Sequence, residues 1–322
     1  MPTTIPTGDN ARKDRLIHHG SGGELFVIFL VNIALKVVTL GIYHFWAKTR
    51  IRRYLWTQAG FDGERFEYTG LGGELFFGFL KAMGVLIGLV LLGSILSGVL
   101  GMIHPALAAL PMVALYITFF VLVGMGIYSA RRYTLSRTRW RSIRFAQTGS
   151  PLTYARKMIG YTLLTVFTLG LYAPFMKNRL MGYMLSNTYF GTEQVTYDGE
   201  GRDLFKPFII AYLLTLPTLG LVWLWYKAAE WRYIAGHCRL QSLRFSCDVT
   251  GGQVFGLMFT NLLLIAFTLG LAFPWVLLRT VRFAFAHLAV AGELDYSAIG
   301  QSPESVPGTG EGLVQAFDMG GI

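Results

Sequence analysis

The sequence predicts an all-α membrane protein of several passes, built by repeating one unit of helix, Thr-Leu-Gly break and amphipathic helix, with short β-strands between the units. Three observations predict it. Thr-Leu-Gly occurs at 39–41, 168–170, 218–220 and 268–270, the last three copies 50 residues apart, and Gly-Glu-Leu-Phe at 23–26 returns at 73–76 with the same spacing. A period of that size is the mark of one supersecondary unit stacked on its neighbours. Of the 322 residues, 53% are hydrophobic and only 14% charged, which suits lipid better than water. Runs at 75–100, 107–128 and 255–278 reach the roughly 20 apolar residues that cross a hydrocarbon core.

Residues 1–14 form a polar tail without the apolar core of a cleavable signal peptide, so the first apolar segment serves as the membrane-targeting signal. The membrane domain runs from 15 to 296 in five units: 15–64, 65–142, 143–194, 195–242 and 243–296. A second polar tail, 297–322, ends in the small apolar patch of Leu313, Val314 and Phe317, which is expected to dock back. Apolar and polar residues alternate at 15–20, 65–70, 143–146, 195–199, 243–246 and 294–297, the period of a half-exposed strand, giving about six short strands. A first helix follows each entry, from about 24 to 38 in unit one. Glu24, Glu74 and Asp203 fall in opening turns, where a carboxylate favours the positive end of the helix dipole by about 0.3–1 kcal/mol. Gly41, Gly170, Gly220 and Gly270 then supply the left-handed cap past the helix end, and Pro174 and Pro274 suit the first turn of a new helix.

The second helix carries the unusual residues. Counted from the repeat glycine, arginine stands nine places on at Arg50, Arg179 and Arg279, and twelve on at Arg53, Arg232 and Arg282. Residues three apart share a helix face. Trp46, Trp56, Phe175, Tyr183, Trp225, Trp231, Phe283 and Phe285 take the opposite faces, the pattern of a helix lying in the headgroup plane. Unit two departs from this: about 35 extra residues form two long runs parted at 102–105 before Arg132 and its neighbours resume the second-helix theme. Two topologies follow. Each remaining unit dips into the bilayer as a hairpin with Thr-Leu-Gly at its tip, or spans once with its arginine helix afloat at the interface. Since non-helical backbone at depth must be buried in protein or line water, the balance falls on six principal spans with irregular or half-depth elements.

Further polar groups lie inside apolar runs. Asn32 and Asn261 each precede the repeat threonine by seven and are expected to hold helix–helix contacts. Lys36 is placed to snorkel to an interface. With the seven arginines, these form the candidate polar path or lipid-head contacts. Net charge is +10, with Lys and Arg gathered after the apolar runs, as cytoplasmic flanks carry them. Lipids, not nucleic acid, are therefore the expected partners, and the oligomeric state stays open, a homo-oligomer included. Cys238 and Cys247, the two cysteines, lie nine apart, which supports neither a disulfide framework nor a zinc site. There is no HExxH, no GxxxxGK[ST] and no nucleophile elbow, and His237-Cys238 has no orienting carboxylate nearby, so no catalytic residue, metal or cofactor is assigned.

The Gly-Glu-Leu-Phe entries, the phrases Thr-Leu-Gly-Ile-Tyr43 and Thr-Leu-Gly-Leu-Tyr172, the following 46–50 (Trp-Ala-Lys-Thr-Arg) and the closing 310–318 resemble the YjgN-like family of bacterial inner-membrane proteins, a family labelled as a domain of unknown function. The resemblance covers nearly the whole chain and implies a multi-pass protein of the bacterial inner membrane; it brings no established activity, so no catalytic residue is carried over. Units four and five carry Leu-Val and Leu-Ala where the others have Ile-Tyr or Leu-Tyr. Two functions fit. One is a transporter or channel for a small anionic solute or lipid head group, since broken helices at depth bind solutes in transporters. The other is a non-transporting scaffold or envelope-maintenance protein that holds anionic lipids.

Overall fold

The computed structural model describes residues 13–301, so the apolar patch at 313–317 lies outside the described residues. Unit one opens with β1 (Lys13–Arg15) and β2 (Ile17–His18), two halves of one strand parted at Leu16, and continues through α1 (Gly22–Val38) and α2 (His44–Gln58). The hairpin of β3 (Ala59–Phe61) and β4 (Glu64–Tyr68) leads to α3 (Gly72–Ile103) and α4 (Ala109–Ser136) of unit two. Unit three follows with β5 (Thr138–Trp140), β6 (Ile143–Gln147), α5 (Pro151–Phe167) and α6 (Ala173–Ser186). Unit four has β7 (Thr188–Phe190), β8 (Glu193–Tyr197), α7 (Phe205–Leu213) and α8 (Trp223–Gly236). Unit five has β9 (Cys238–Leu240), β10 (Leu243–Cys247), α9 (Gly251–Phe267) and α10 (Phe273–His287), and β11 (Leu288–Ala291) ends the sheet.

All eleven strands form one antiparallel sheet. β1 pairs with β11, Lys13 opposite Ala291, while β2 pairs with β3, His18 opposite Ala59. Because β1 and β2 are one strand, the sheet closes on itself and leaves no edge. The prediction of an all-α protein is thus overturned, while five of the six expected strands are present, as β1–β2, β4, β6, β8 and β10. Five strands were missed because three or four residues at the end of a helix are too short to show a period. The turn that marks them is Asp62-Gly63, both at positive φ (50° and 77°), a strong hairpin signal. The stretch at 294–297 is no strand. It ends in a 3₁₀ turn, Tyr296–Ala298, and packs against the barrel core.

Inward side chains fill the barrel. Trp140, Phe190, Leu240 and Val290 come from successive odd-numbered strands and meet Phe66, Phe145 and Phe245 from the even ones, leaving a cavity of about 150 Å³. Ile299, buried, joins the same core.

Each helix pair leaves the sheet after an even-numbered strand and returns to the next odd-numbered one, so every tip points away from the same end of the barrel. The units are hairpins, and their strands do not alternate between two sides. Among the described residues only α3, and α4 with the short turn before it, are long and apolar enough to cross a membrane. This corrects the six principal spans. The run at 255–278 is one of the short hairpins, split between α9 and α10.

The tips explain the repeated phrase. In each, the threonine hydroxyl donates to the carbonyl four residues back and accepts the N–H four residues on: Thr39 to Leu35 O (2.7 Å) and from Tyr43 N (3.0 Å), Thr168 to Leu164 O (2.7 Å) and from Tyr172 N (3.0 Å). Thr218 and Thr268 repeat the pattern. The hydroxyl thus takes an N–H at the start of the second helix, while backbone N–H groups of the turn take the last carbonyls of the first, Gly41 bonding Lys36 O (2.7 Å) and Leu40 bonding Val37 O (3.2 Å), so the reversal needs little water. The expected single glycine cap is in fact a left-handed pair. Leu40, Leu169, Leu219 and Leu269 have φ of 50°, 51°, 49° and 50°, and the following glycines lie between 82° and 92°. A left-handed leucine costs about 1–3 kcal/mol, yet it sets an apolar side chain at the apex with 80–93% of its surface exposed. Replacing Thr168 or Thr268 with Val is expected to lower stability by about 1 kcal/mol per site, while Ser keeps it, measured by thermal unfolding in detergent.

Candidate functional site

Each second helix has three working faces, and the register from the repeat glycine separates them. The first is the seam between units. Arg53, twelve after Gly41, donates to Gly70 O (3.2 Å), Arg132 to Gly149 O (2.8 Å), Arg232 to Val249 O (2.5 Å) and Arg282 to Gly20 O (2.5 Å). Each acceptor is the loop that opens the next unit, and Arg282 closes the circle from unit five to unit one. Unit three has Gly182 at this register, against which Tyr197 packs. There the bond comes from one turn earlier, Asn178 to Gly199 O (2.8 Å), and Tyr197 donates to Asn178. Aromatic rings five after the repeat glycine press on the same seams: a Cβ added to Gly22, Gly72, Gly201 or Gly251 would fall 2.4–2.8 Å from Trp275, Trp46, Phe175 or Trp225. Within the units, the next residue along the helix clamps the first helix's start. Tyr54 bonds Glu24, Tyr133 bonds Glu74, Tyr183 bonds Ser150 and Tyr233 bonds Asp203. The three carboxylates thus accept side-chain hydroxyls, and Asp203 precedes its helix instead of lying in the first turn.

The second face points outward. Arg50, Arg179 and Arg279, nine after the glycine, are exposed. Arg179 donates to Tyr172 OH (2.7 Å) and lies over the Tyr161 ring, and Arg279 donates to Thr260 (2.9 Å). Arg50 and Arg53 line a cleft of about 860 Å³ with Tyr43, Trp46, Phe77 and Lys81 of α3. Lys36 is half-exposed in the last turn of α1, where a cation suits the negative end of the dipole. Asn32 and Asn261 are buried between paired helices, donating to Ala47 O and Thr280 (3.4 Å each).

The third face turns to the ring's axis, and it takes Trp56, Trp231, Phe283 and Phe285, which the helical pattern predicts in the headgroup plane. Above the barrel the five second helices wall two apolar chambers. One, of about 490 Å³, is lined from α6, α8 and α10 by Met181, Leu185, Trp231, Ile234 and Phe283, with Cys238, Phe245 and Cys247 from the strands. Burial pushes the Cys238 thiol up to about 11, which keeps it neutral. The other, of about 370 Å³, is lined from α2, α4 and α10 by residues such as Leu55, Trp56, Leu135 and Phe285. One turn away from the sheet on the same stripes stand cations: Lys177 before Met181, Lys227 before Trp231, Arg52 before Leu55 and Trp56, Arg131 before Leu135. Glu230, 1% exposed, accepts Lys177 (2.5 Å) and Lys227 (3.1 Å) on one carboxylate oxygen. Arg131 donates to Gln147, Met184 O and Thr188. The signal was available: Lys48, Lys177 and Lys227 all stand seven after a repeat glycine.

A closed ring of hairpins on a sealed barrel, with apolar tips and its charge toward the sheet, defines a class of membrane-facing repeat architecture. The chain belongs to the family of bacterial proteins of unknown function DUF898, whose model matches residues 13–219 and again 209–316. Its curated relatives are named inner membrane protein YjgN. The one from Salmonella typhimurium is 42% identical over 76 residues, 24% of this chain and 19% of its own. The one from Escherichia coli K12 is 26% identical over 226 residues, 61% of this chain and 55% of its own. The chain thus matches about half the length of its relative at most. No solved structure matches it.

The seam that closes the ring carries a titratable group. His18 Nδ1 accepts Gly20 N–H (3.2 Å), its ring meets Phe285 edge-on, and both burial and the Arg282 guanidinium hold it below its ordinary value of 6.5. The native chain then binds fewer protons than the unfolded one, so stability falls as pH drops from neutral through 6.5 and levels off once the folded imidazole also protonates. Thermal unfolding between pH 8 and 5 is expected to show this slope, and His18→Gln to flatten it.

Proposed function

We propose that the chain is a bacterial inner-membrane protein in which five copies of one unit close into a ring that grips the bilayer and holds anionic lipid head groups, without carrying solute across. The observation that carries this reading is the set of apolar apices: Leu40, Leu169, Leu219 and Leu269 are 80–93% exposed on turns that need little water. Exposed leucines of this kind, side by side on one face, mark a surface made for lipid.

Helix lengths set the depth. Lys81 and Arg50 line one cleft and so mark one level. From Lys81 to Ile103 α3 runs 22 residues, about 33 Å, enough for the hydrocarbon core. From Arg50 back to Gly41 is nine residues, of which α2 covers 44–50, so the tip reaches at most about 13 Å beyond Arg50. The α3–α4 hairpin therefore crosses twice, and the other four enter one leaflet. The turn between α3 and α4, residues 104–108, carries no Lys or Arg, whereas the sheet end is rich in Arg, with Arg65, Arg139, Arg141, Arg144, Arg239 and Arg244. By the positive-inside rule the sheet is cytoplasmic.

Arg50, Arg179 and Arg279 then lie at the headgroup level, where each cation near an anionic surface contributes about 1 kcal/mol. The packed barrel argues against a through path. Single cysteines at Met102 and at Glu64 in intact cells separate the topologies: an impermeant maleimide is expected to label the first only, and labelling of both or of 64 alone removes the reading. Phosphatidylglycerol is expected to raise the unfolding temperature over phosphatidylcholine in a salt-sensitive way, with the gain lost in the Arg50→Ala, Arg179→Ala, Arg279→Ala triple variant.

A further inference from the structure

The axial chamber is unlike the outer belt. Its wall is almost wholly apolar, and it includes Trp231, a large ring left 46% exposed on a face that points into the protein. Interiors are normally packed to the density of organic crystals, and an apolar cavity offers water no partners. A space of about 490 Å³ is within the range of small-molecule sites. Its chemistry selects what fits. An unbranched hydrocarbon chain matches the lining of Met181, Leu185, Trp231 and Phe283. Lys177 and Lys227 stand four residues before Met181 and Trp231, one turn farther from the sheet on the same two stripes and beyond the chamber's apolar lining.

These two lysines are not neutralised. Both ammonium groups converge on Oε2 of Glu230, so two positive charges share one negative charge, and their side chains keep 40% and 44% of their surface exposed while the carboxylate keeps 1%. The cluster can accept an anion on its open side. Glu230 fixes both lysines in place, and a second carboxylate or phosphate would complete the charge balance.

We propose that the axial chamber binds a single-chain amphiphile with an anionic head, its acyl chain along Met181, Trp231 and Phe283 and its head on Lys177 and Lys227. This site goes beyond the lipid belt: it is on the opposite side of the second helices, and it binds in detergent as well as in a bilayer.

The test uses full-length protein stripped of lipid in a maltoside detergent and incubated with palmitate bearing a diazirine on its chain. Photolysis followed by peptide mapping is expected to place adducts on α6, α8 and α10 around Met181, Trp231 and Phe283. Unlabelled palmitate and lysophosphatidate should both compete, and the neutral alcohol of equal chain length should compete at least about tenfold less well, a difference worth about 1.4 kcal/mol. Competition by palmitate alone names a carboxylate ligand, and competition by lysophosphatidate alone a phosphate, either of which supports the site. Lys177→Gln with Lys227→Gln should weaken labelling about tenfold, and Lys177→Arg should retain it. Ala235→Trp, or Ala284→Trp if the first does not fold, fills the chamber without touching charge and should abolish labelling at an unchanged unfolding temperature. Adducts confined to the hairpin tips, equal competition by the alcohol, or full labelling of a filled-chamber variant that folds would overturn the proposal.

Discussion

Closure of the ring is the constraint from which the other features follow. The first strand pairs with the last strand on one side and with β3 on the other, so no unit is terminal. An open row of repeats must cap its end units with polar faces and guard its sheet edges. Here unit five supplies the cap of unit one: Arg282 bonds Gly20 O and Trp275 covers Gly22. The same two contacts occur at the seams entered by Arg53 and Trp46 and by Arg232 and Trp225. Once the circle is fixed, an inside and an outside exist for every helix. The arginines at nine and twelve, which look alike in the sequence, then have different surroundings.

The hairpin turns solve a second problem, that of ending a helix where no water reaches. The glycine N–H and the leucine N–H pair with the last carbonyls of the first helix, but would leave the N–H that opens the second helix without a partner. The threonine hydroxyl pairs with both sides at once, donating backward and accepting forward. The left-handed leucine costs local energy, and its apolar side chain recovers some of that wherever the apex sits in hydrocarbon, at about 25 cal/mol per Å². The phrase Thr-Leu-Gly therefore belongs to an apolar environment. In water its exposed leucine would add cost without return.

Much of this was legible. The period, the helix–turn–helix unit, the tip glycines and the one long hairpin are all visible in the order of residues, because apolar runs and turn residues act locally. The barrel was not, because β3, β5, β7 and β9 are three residues long and follow directly on a helix, so no alternation can be counted. Asp62-Gly63 was the missed cue. The axis was not legible either: near lipid both faces of a second helix carry large apolar groups, and the amphipathic pattern that orients a helix in water is blurred. Arginines recurring at nine and twelve drew the reading outward. Lys48, Lys177 and Lys227 recur just as regularly at seven, and nothing in one dimension says that seven faces inward.

Five copies in one chain allow an internal comparison that shows where the units were free to differ. At the clamp register four of the five copies have tyrosine, Tyr54, Tyr133, Tyr183 and Tyr233, and at the latch four have arginine. Unit three, the exception at the latch, keeps the bond by moving it to Asn178. At the axis, eleven after the glycine, the copies read Arg52, Arg131, Met181, Trp231 and Val281. The ring's joints are thus uniform and this inner register is not: arginine stands in units one and two, and Met181, Trp231 and Val281 in three, four and five. Structural need alone would treat the five axis positions alike, since each sits at the same place in the same circle. Their divergence leaves the chamber between units three, four and five walled by apolar groups, with Lys177 and Lys227 one turn farther from the sheet, the order in which an amphiphile carries chain and head.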